Sequence, residues 1–436
     1  MEERMRFLSK KNIFKLSLLA TAVMASSAMA GGFQLYEQNA DDLGTYHAGS
    51  AAKASTAATE FYNPAGMVRL KHTAISLGAT NIALNTYFKG HVGDLTPSTP
   101  AEGSGNTNNI VPNAHIVVPF SYKDHPAAFG FGINTPFGLS TNYPKSTLTN
   151  TIGLAGTNTT VMTVNIGPSL ALALTPKFSI GAGVDLMYAK ADYNGDYDLT
   201  LGRIDLPLAH YTNHLEGTGW GFNLGALWQP SSTFRMGFAY RSPVIVSAHG
   251  PSREYDDAGT LVDHTTATAT IALPANYTLS AYKDLSSRWS VMGTVVYGEW
   301  NIFKSLTINN VAVIPFDPTG VNITENYKYK NTWMGSVGTQ YWFSARNAIQ
   351  FGFGLDQTPT RDGHRDTRLP DGNRWIAALG LKHKFNCRSS ITAGYAYVDM
   401  GKVNIDNSKN SPIIHEKGTS TGHANIVGVQ LNYQFS

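Results

Sequence analysis

The chain has 436 residues, of which only 14% are charged, against roughly 25% in soluble domains; it also carries 42 glycines and 11% aromatics. That composition excludes intrinsic disorder, a coiled coil and a strongly charged nucleic-acid binder. Past residue 30 there is no predominantly apolar run of the roughly 18 residues that a spanning helix needs, which excludes a helical membrane bundle.

Residues 1–30 read as a secretory signal. Arg4, Arg6, Lys10, Lys11 and Lys15 form a basic start, Leu16 to Met24 an apolar core, and Ala28-Met29-Ala30 an A-x-A cleavage site that makes Gly31 the mature start. Removing five basic and two acidic residues from 33 and 30 leaves 28 of each, so the formal charge of +3 belongs to the signal. No basic patch then argues for nucleic acid. The single cysteine, Cys387, has no disulfide partner and is expected to be buried or lipid-facing.

Residues 31–68 do not alternate. They are rich in Ala, Gly, Ser and Thr and end in Tyr62-Asn63-Pro64-Ala65-Gly66-Met67. Too little charge for a disordered tail and many small side chains predict a plug folded into a narrow lumen.

From about residue 69 to 436 the chain repeats a strand rhythm. Ile180, Ala182, Val184, Leu186 and Tyr188 alternate with Gly181, Gly183, Asp185 and Met187; Val427, Val429, Leu431, Tyr433 and Phe435 alternate with Gly428, Gln430, Asn432 and Gln434. Such strands separate two solvents. The bulky face is apolar and the opposite face glycine, amide or charge, the arrangement of a barrel in lipid rather than a soluble one. Centres near 80, 116, 131, 168, 184, 224, 238, 272, 295, 335, 352, 379, 396 and 429 predict an all-β fold, a fourteen-stranded antiparallel transmembrane β-barrel. Polar intervals at 89–109, 140–158, 191–214, 249–264 and 305–325 read as extracellular loops, and 229–232 and 284–288 as periplasmic turns. Trp228, Tyr240, Trp289, Trp300, Trp342 and Tyr433 suit interfacial girdles.

The third strand is anomalous: Phe129-Gly130-Phe131-Gly132-Ile133-Asn134-Thr135-Pro136-Phe137-Gly138. A proline there cannot donate to the ladder, and a closed barrel has no edge to hold it. Asn134, Thr135, Pro136, Phe137 and Gly138 therefore mark either a functional opening or a structural bulge.

Catalytic signatures are absent: there is no H-E-x-x-H, G-x-S-x-G, P-loop or paired Cys/His spacing, so neither an enzyme nor a metal or other cofactor is expected. His47, His115, His249 and His383 read as solvated or interfacial. The one charged constellation holds Asp356, Arg361, Arg365, Arg368, Asp371 and Arg374. It is either a solvated loop or a set of cations at the lumen's mouth able to meet a carboxylate.

With these residues in view the chain resembles the FadL family of outer-membrane long-chain fatty-acid transport proteins, which also includes aromatic-hydrocarbon uptake channels. Gly31-Gly32-Phe33-Gln34-Leu35, Leu43-Gly44 and Asn63-Pro64-Ala65 match its N-terminal hatch, Phe129 to Gly138 its third strand, and Leu273-Pro274 a strand entry. Asp356-x-x-Pro359, Arg365, Leu369-Pro370-Asp371 and Arg374 match its late loop. The resemblance implies a barrel plugged by a hatch at 31–68, gated through Asn63, Pro64 and Ala65. Hydrophobic ligand is taken up passively and leaves sideways at the third-strand kink. Asp356 would partner the hatch or pocket, and Lys190, Arg361 and Arg365 are candidates for the pocket's basic residues. The implied partners are a long-chain fatty acid or other hydrophobic molecule, outer-membrane lipid and lipopolysaccharide, and the barrel-assembly machinery, with the protein a monomer. A general diffusion porin is the alternative; Ser436 after Phe435 departs from the family's terminal aromatic.

Overall fold

Strands that are greasy on one face and polar on the other are stable in a bilayer only when their edges are joined, because lipid offers no partner to a free N–H or C=O. The computed structural model describes residues 31–93, 99–143, 155–197, 200–201, 204–205, 209–312, 320–407, 409 and 415–436. The signal expected at 1–30, and parts of the intervals at 89–109, 140–158, 191–214 and 305–325, lie outside the described residues.

Fourteen antiparallel strands form one closed barrel. In chain order they are β1 (Ala74–Gly93), β2 (Thr99–Ser104 and Thr107–Tyr122), β3 (His125–Asn134 and Gly138–Asn142), β4 (Ala155–Thr175), β5 (Phe178–Tyr197), β6 (Ala209–Ser231) and β7 (Phe234–Arg241 and Val244–Tyr255). There follow β8 (Leu261–Leu273 and Asn276–Asp284), β9 (Trp289–Gly298 and Leu306–Val311), β10 (Val321–Glu325 and Thr332–Trp342), β11 (Asn347–Asp356), β12 (Arg374–Lys384), β13 (Ser389–Asp406) and β14 (His415–Gln434). Pairing of β14 with β1, from Ala74↔Gln434 to Gly93↔His415, completes the wall.

Each expected centre falls in its own strand. The strands run further than alternation suggested: 191–197, 209–214, 249–255 and 261–264, expected as loop, continue the ladder. Beyond the bilayer both faces meet polar surroundings, so alternation lapses while backbone pairing goes on.

Within the bilayer the parity reading holds. Leu170, Val337 and Leu355 stand 57, 62 and 58% exposed on the outer face, while Ser169, Ser336 and Asp356 are buried on the inner one. Trp228, Trp289 and Tyr433 are exposed, as girdle residues are. Trp300 is not. It is fully buried, because β9 is interrupted after Gly298 and a short 3-10 turn, Trp300–Ile302, carries the indole inward. Cys387 is exposed in the turn between β12 and β13 rather than buried, since the strands end before it.

The interior is filled by the residues before β1. Short helices α1 (Ala40–Leu43), α2 (Ser50–Lys53) and α3 (Thr59–Tyr62) lead into a 3-10 turn, Pro64–Arg69. Asn39 caps α1 through Asp41 N at 2.7 Å, and Pro64 opens the 3-10 turn where its missing N–H costs nothing. Ala48, Ala51, Ala52, Ala57 and Ala58 are almost wholly buried, and their small side chains let the wall approach. Ala51 N donates to Ser280 of β8 (3.2 Å), Ala57 N to Ser76 of β1 (3.1 Å), and Asp41 Oδ1 accepts from Thr392 of β13 (2.7 Å).

Candidate ligand chamber and wall break

The wall is interrupted in β3. Its lower segment pairs with β4 as far as Asn134↔Asn165, and its upper segment resumes at Gly138↔Met162. The stretch from Asn134 to Gly138 is thus one residue longer than the opposing stretch of β4, a bulge that bends the strand. On the other side the β2–β3 ladder ends at Ala114↔Ile133. The upper segment turns inward, with Gly138 to Thr141 all buried.

The chain's own N-terminus covers the inside of this break. Leu35 N donates to Pro136 O and Gly138 N to Phe33 O, both at 2.8 Å, and Gln34 bridges Phe137 in antiparallel register. Thr163 of β4 holds Phe137 from the wall: its Oγ1 accepts from Phe137 N at 3.0 Å, and its N–H donates to Phe137 O at 3.1 Å. Before this seam Gly31 N donates to Asp356 (2.7 Å) and Gly32 N to Asp371 (3.0 Å), with Arg374 2.6 Å from Asp371 and 4.0 Å from Asp356. Gly32 has φ +70°, and a Cβ there would meet the Trp300 ring at 2.9 Å, so glycine is required twice over.

Phe33 reaches from the seam into a narrow apolar chamber of about 50 Å³. Its ring packs edge-on against Trp300 and Phe303 at 4.9 and 5.7 Å, and Phe303 stacks on Tyr327 at 5.3 Å. Leu139, Val161, Leu215, Ile271 and Ile308 complete the greasy lining. Arg368 stands at its margin, stacked 3.7 Å over Tyr193, and its guanidinium donates to Thr159 Oγ1, Asn194 O and Tyr211 Oη, each at 2.8 Å. A fixed cation in an apolar chamber can orient a ligand that is oily along its length and acidic at one end.

The anticipated residues do not all gather here. Lys190 shares the outward parity of Val184 and Tyr188, so it faces away from the chamber. Arg361 is exposed and donates to Lys328 O at 2.7 Å. Arg365 is buried, but it ties the loop to β13 through Asn404 O (2.7 Å) and braces the loop itself through Asp371 O (2.8 Å). Asp356 is buried at the N-terminal anchor. Asn63 is fully buried; its Nδ2 donates to Ala51 O (2.7 Å) and Ala226 O (3.0 Å), and its Oδ1 accepts from Ala65 N (3.1 Å). Pro64 and Ala65 follow in the 3-10 turn. The chamber's cation, Arg368, was visible only as one arginine among several beside Leu369-Pro370.

Two further contacts hold the plug near the break. Glu60 of α3 accepts from Ser169 of β4 (2.9 Å) and meets His115 Nδ1 of β2 (3.2 Å), spanning β3 where Gly130 and Gly132 leave room for it. His115 is therefore buried, not interfacial. Arg241 of β7 pairs with Asp185 of β5, donates to Phe61 O at 2.8 Å and stacks over the Phe61 ring. Glu60→Ala is expected to cost about 2–4 kcal/mol, because it strands two buried polar partners. Glu60→Gln, which still accepts from Ser169, should cost less; equal losses in urea titrations of the refolded barrel would contradict the clamp.

The chamber's extracellular roof is sensitive to pH. Burial pushes the Glu325 carboxyl up to about 8 and that of Glu416 to about 7, with the neighbouring Asp366 adding to both. Both values lie above the ordinary 4.5, so the fold favours the protonated forms. That stabilisation is present in full below the ordinary value and is lost as pH rises through 7 to 8. Amide exchange across the roof should quicken relative to intrinsic rates between about pH 6 and about pH 9, the exception being Thr367, whose N–H, 2.7 Å from Glu416, holds the ionised carboxylate more tightly. Unchanged protection would contradict it.

A closed antiparallel barrel with a lipid-facing belt, an N-terminal segment inside it and a wall strand broken at Pro136 defines an outer-membrane barrel of the channel class. A family model described as outer membrane protein transport protein (OMPP1/FadL/TodX) matches residues 21–435, and the chain belongs to that family and to the outer membrane. It is 28% identical to the long-chain fatty acid transport protein of Escherichia coli O6:H1, over 98% of this chain and all of that one. It is also 28% identical to outer membrane protein P1 of Haemophilus influenzae, over 97% and 99%. Among solved structures, a Pseudomonas aeruginosa FadL homologue superposes with a TM-score of 0.81 at 22% identity, covering 93% of this chain and all of that one. The Ralstonia pickettii toluene transporter TbuX gives 0.67 at 17%, covering 91% and 100%. These two likenesses concern the fold.

Proposed function

We propose that the protein is an outer-membrane uptake channel for long-chain fatty acids and similar hydrophobic compounds, working without chemistry or an energy source of its own. The observation that carries this reading is the position of Phe33. Its ring lines the greasy chamber while its carbonyl holds Gly138 at the wall break, so a ligand that displaces the ring also loosens the seam. An oily molecule enters from the extracellular side, with a carboxylate directed to Arg368. It displaces Phe33 and leaves sideways past Pro136 into the bilayer, never crossing water.

Residues 31–68 act in this scheme as a hatch, seated by Asn63, Pro64 and Ala65 and by the Asp356 anchor. The protein works as a monomer, delivered by the barrel-assembly machinery and surrounded by outer-membrane lipid and lipopolysaccharide. A general diffusion porin is disfavoured because buried segments occupy the lumen. The aromatic rings of the chamber favour a second reading, in which the cargo is an aromatic hydrocarbon like that in the toluene transporter's name. Labelled uptake in a host lacking its own transporter separates the two: oleate should be taken up in preference to toluene, and Arg368→Met should weaken only the oleate. Toluene uptake alone, indifferent to Arg368, would favour the second reading.

A further inference from the structure

A second cavity, of about 70 Å³, lies on the other side of the seam. Phe33 and Leu139 face the chamber; Gln34, Leu35, Pro136 and Phe137 face this cavity. The short ladder between Phe33–Leu35 and Pro136–Gly138 is therefore the partition between the two, and displacing it joins them at the wall break.

This cavity is lined by a cluster of buried polar atoms that have no partner among the described residues. They are both ring nitrogens of His47, the Tyr62 hydroxyl, and the side-chain oxygens of Gln34, Gln38, Asn223 and Asn276. His47 is 2% exposed, and its ring lies 5.4 Å from that of Tyr62. The arrangement is held in place. His47 O accepts from Thr294 at 3.1 Å, and Tyr46 and His47 both adopt left-handed backbone, φ +46° and +55°, which ordinary residues occupy only when their surroundings impose it. Asn223 Nδ2 donates to Asp185 and Asn276 Nδ2 to Pro274 O, which fixes both amides in the lining. The cation in the lining, Arg241, is paired with Asp185 and Phe61 O.

We propose that this cavity is a head-group subsite that takes the carboxyl end of a long-chain acid in its protonated form, immediately before lateral exit. The proposal rests on the fatty-acid reading above. Neutral imidazole supplies one N–H and Tyr62 one O–H, while four amide oxygens accept. A protonated carboxyl, with one donor and an acceptor carbonyl, matches that set. An ionised carboxylate only accepts, and would face the amide oxygens with Arg241 already committed. A hydrocarbon would leave every one of these groups unmatched. Protonation is also what exit requires, because a charged head entering lipid is heavily penalised. Arg368 thus serves the ionised acid on the water side and the His47 cavity the neutral acid on the lipid side.

The test uses the full-length barrel in lipid. With wild-type protein, 15N-labelled at histidine, and oleic acid 13C-labelled at the carboxyl, solid-state spectra should show a direct 13C–15N contact that His47→Leu removes. In cells, His47→Leu and Tyr62→Phe should each lower oleic acid uptake, by about tenfold together, as the loss of two hydrogen bonds implies. Uptake of the matching hydrocarbon without a carboxyl should be unchanged. Equal loss for acid and hydrocarbon, or no loss for either, would overturn the subsite, as would a carboxyl label that contacts Arg368 but never His47. If wild-type protein takes up no oleic acid, the fatty-acid reading itself fails.

Discussion

Deleting Pro136 is expected to abolish uptake of long-chain acids while leaving a folded barrel. The deletion removes the single extra residue between Asn134↔Asn165 and Gly138↔Met162 and brings both segments of β3 into one register against β4. Its straightened upper half can then pair with β2 beyond Ala114. Three or four new ladder hydrogen bonds, at about 1 kcal/mol each, would make a lateral opening rarer by about a hundredfold or more. The check is labelled uptake at matched surface levels, with heat-modifiable gel mobility confirming the fold. Undiminished uptake through a folded, unbroken wall would refute lateral exit.

Asn63→Ala carries the second large effect. One side chain here satisfies Ala51 O, Ala226 O and Ala65 N, joining α2 and the 3-10 turn to β6. Truncation leaves buried backbone groups without partners, at about 2–4 kcal/mol in total, enough to shift the seating equilibrium of the plug by about thirtyfold or more. A plug that sits loosely no longer couples Phe33 to the break. Oleate uptake should fall several-fold while small hydrophilic solutes begin to leak. Pro64→Ala should act in the same direction more weakly. Unchanged uptake and no leak, at equal surface levels, would count against a gating hatch.

The barrel was legible because lipid imposes a strict period of two on each strand, and every one of the fourteen centres could be found from side-chain parity. Outside the bilayer that constraint lapses, which is why residues 249–255 and 261–264 read as loop although they continue the ladder. The break announced itself through proline chemistry at Pro136. The basic pocket residue did not, because parity and loop geometry decide which cation faces the chamber. Lys190 points outward, Arg365 is spent on backbone carbonyls, and Arg368 is turned in by the three acceptors around it. Trp300 was misplaced for a related reason: an interrupted strand reverses the face its next aromatic presents. Glu60, His47 and His115 act across the plug–wall contact, a relation between residues far apart in the chain that no local pattern records.

The central claim is tested most directly by following the cargo as it leaves. A photo-crosslinking residue at Ile110, on the outer face of β2 beside the break, should capture labelled oleate within the first moments of uptake, before label spreads through the membrane. The same group at Val337, equally lipid-facing on β10, should capture it only later. Simultaneous capture at both positions, or early capture at neither while uptake proceeds, would contradict exit through the β3 break.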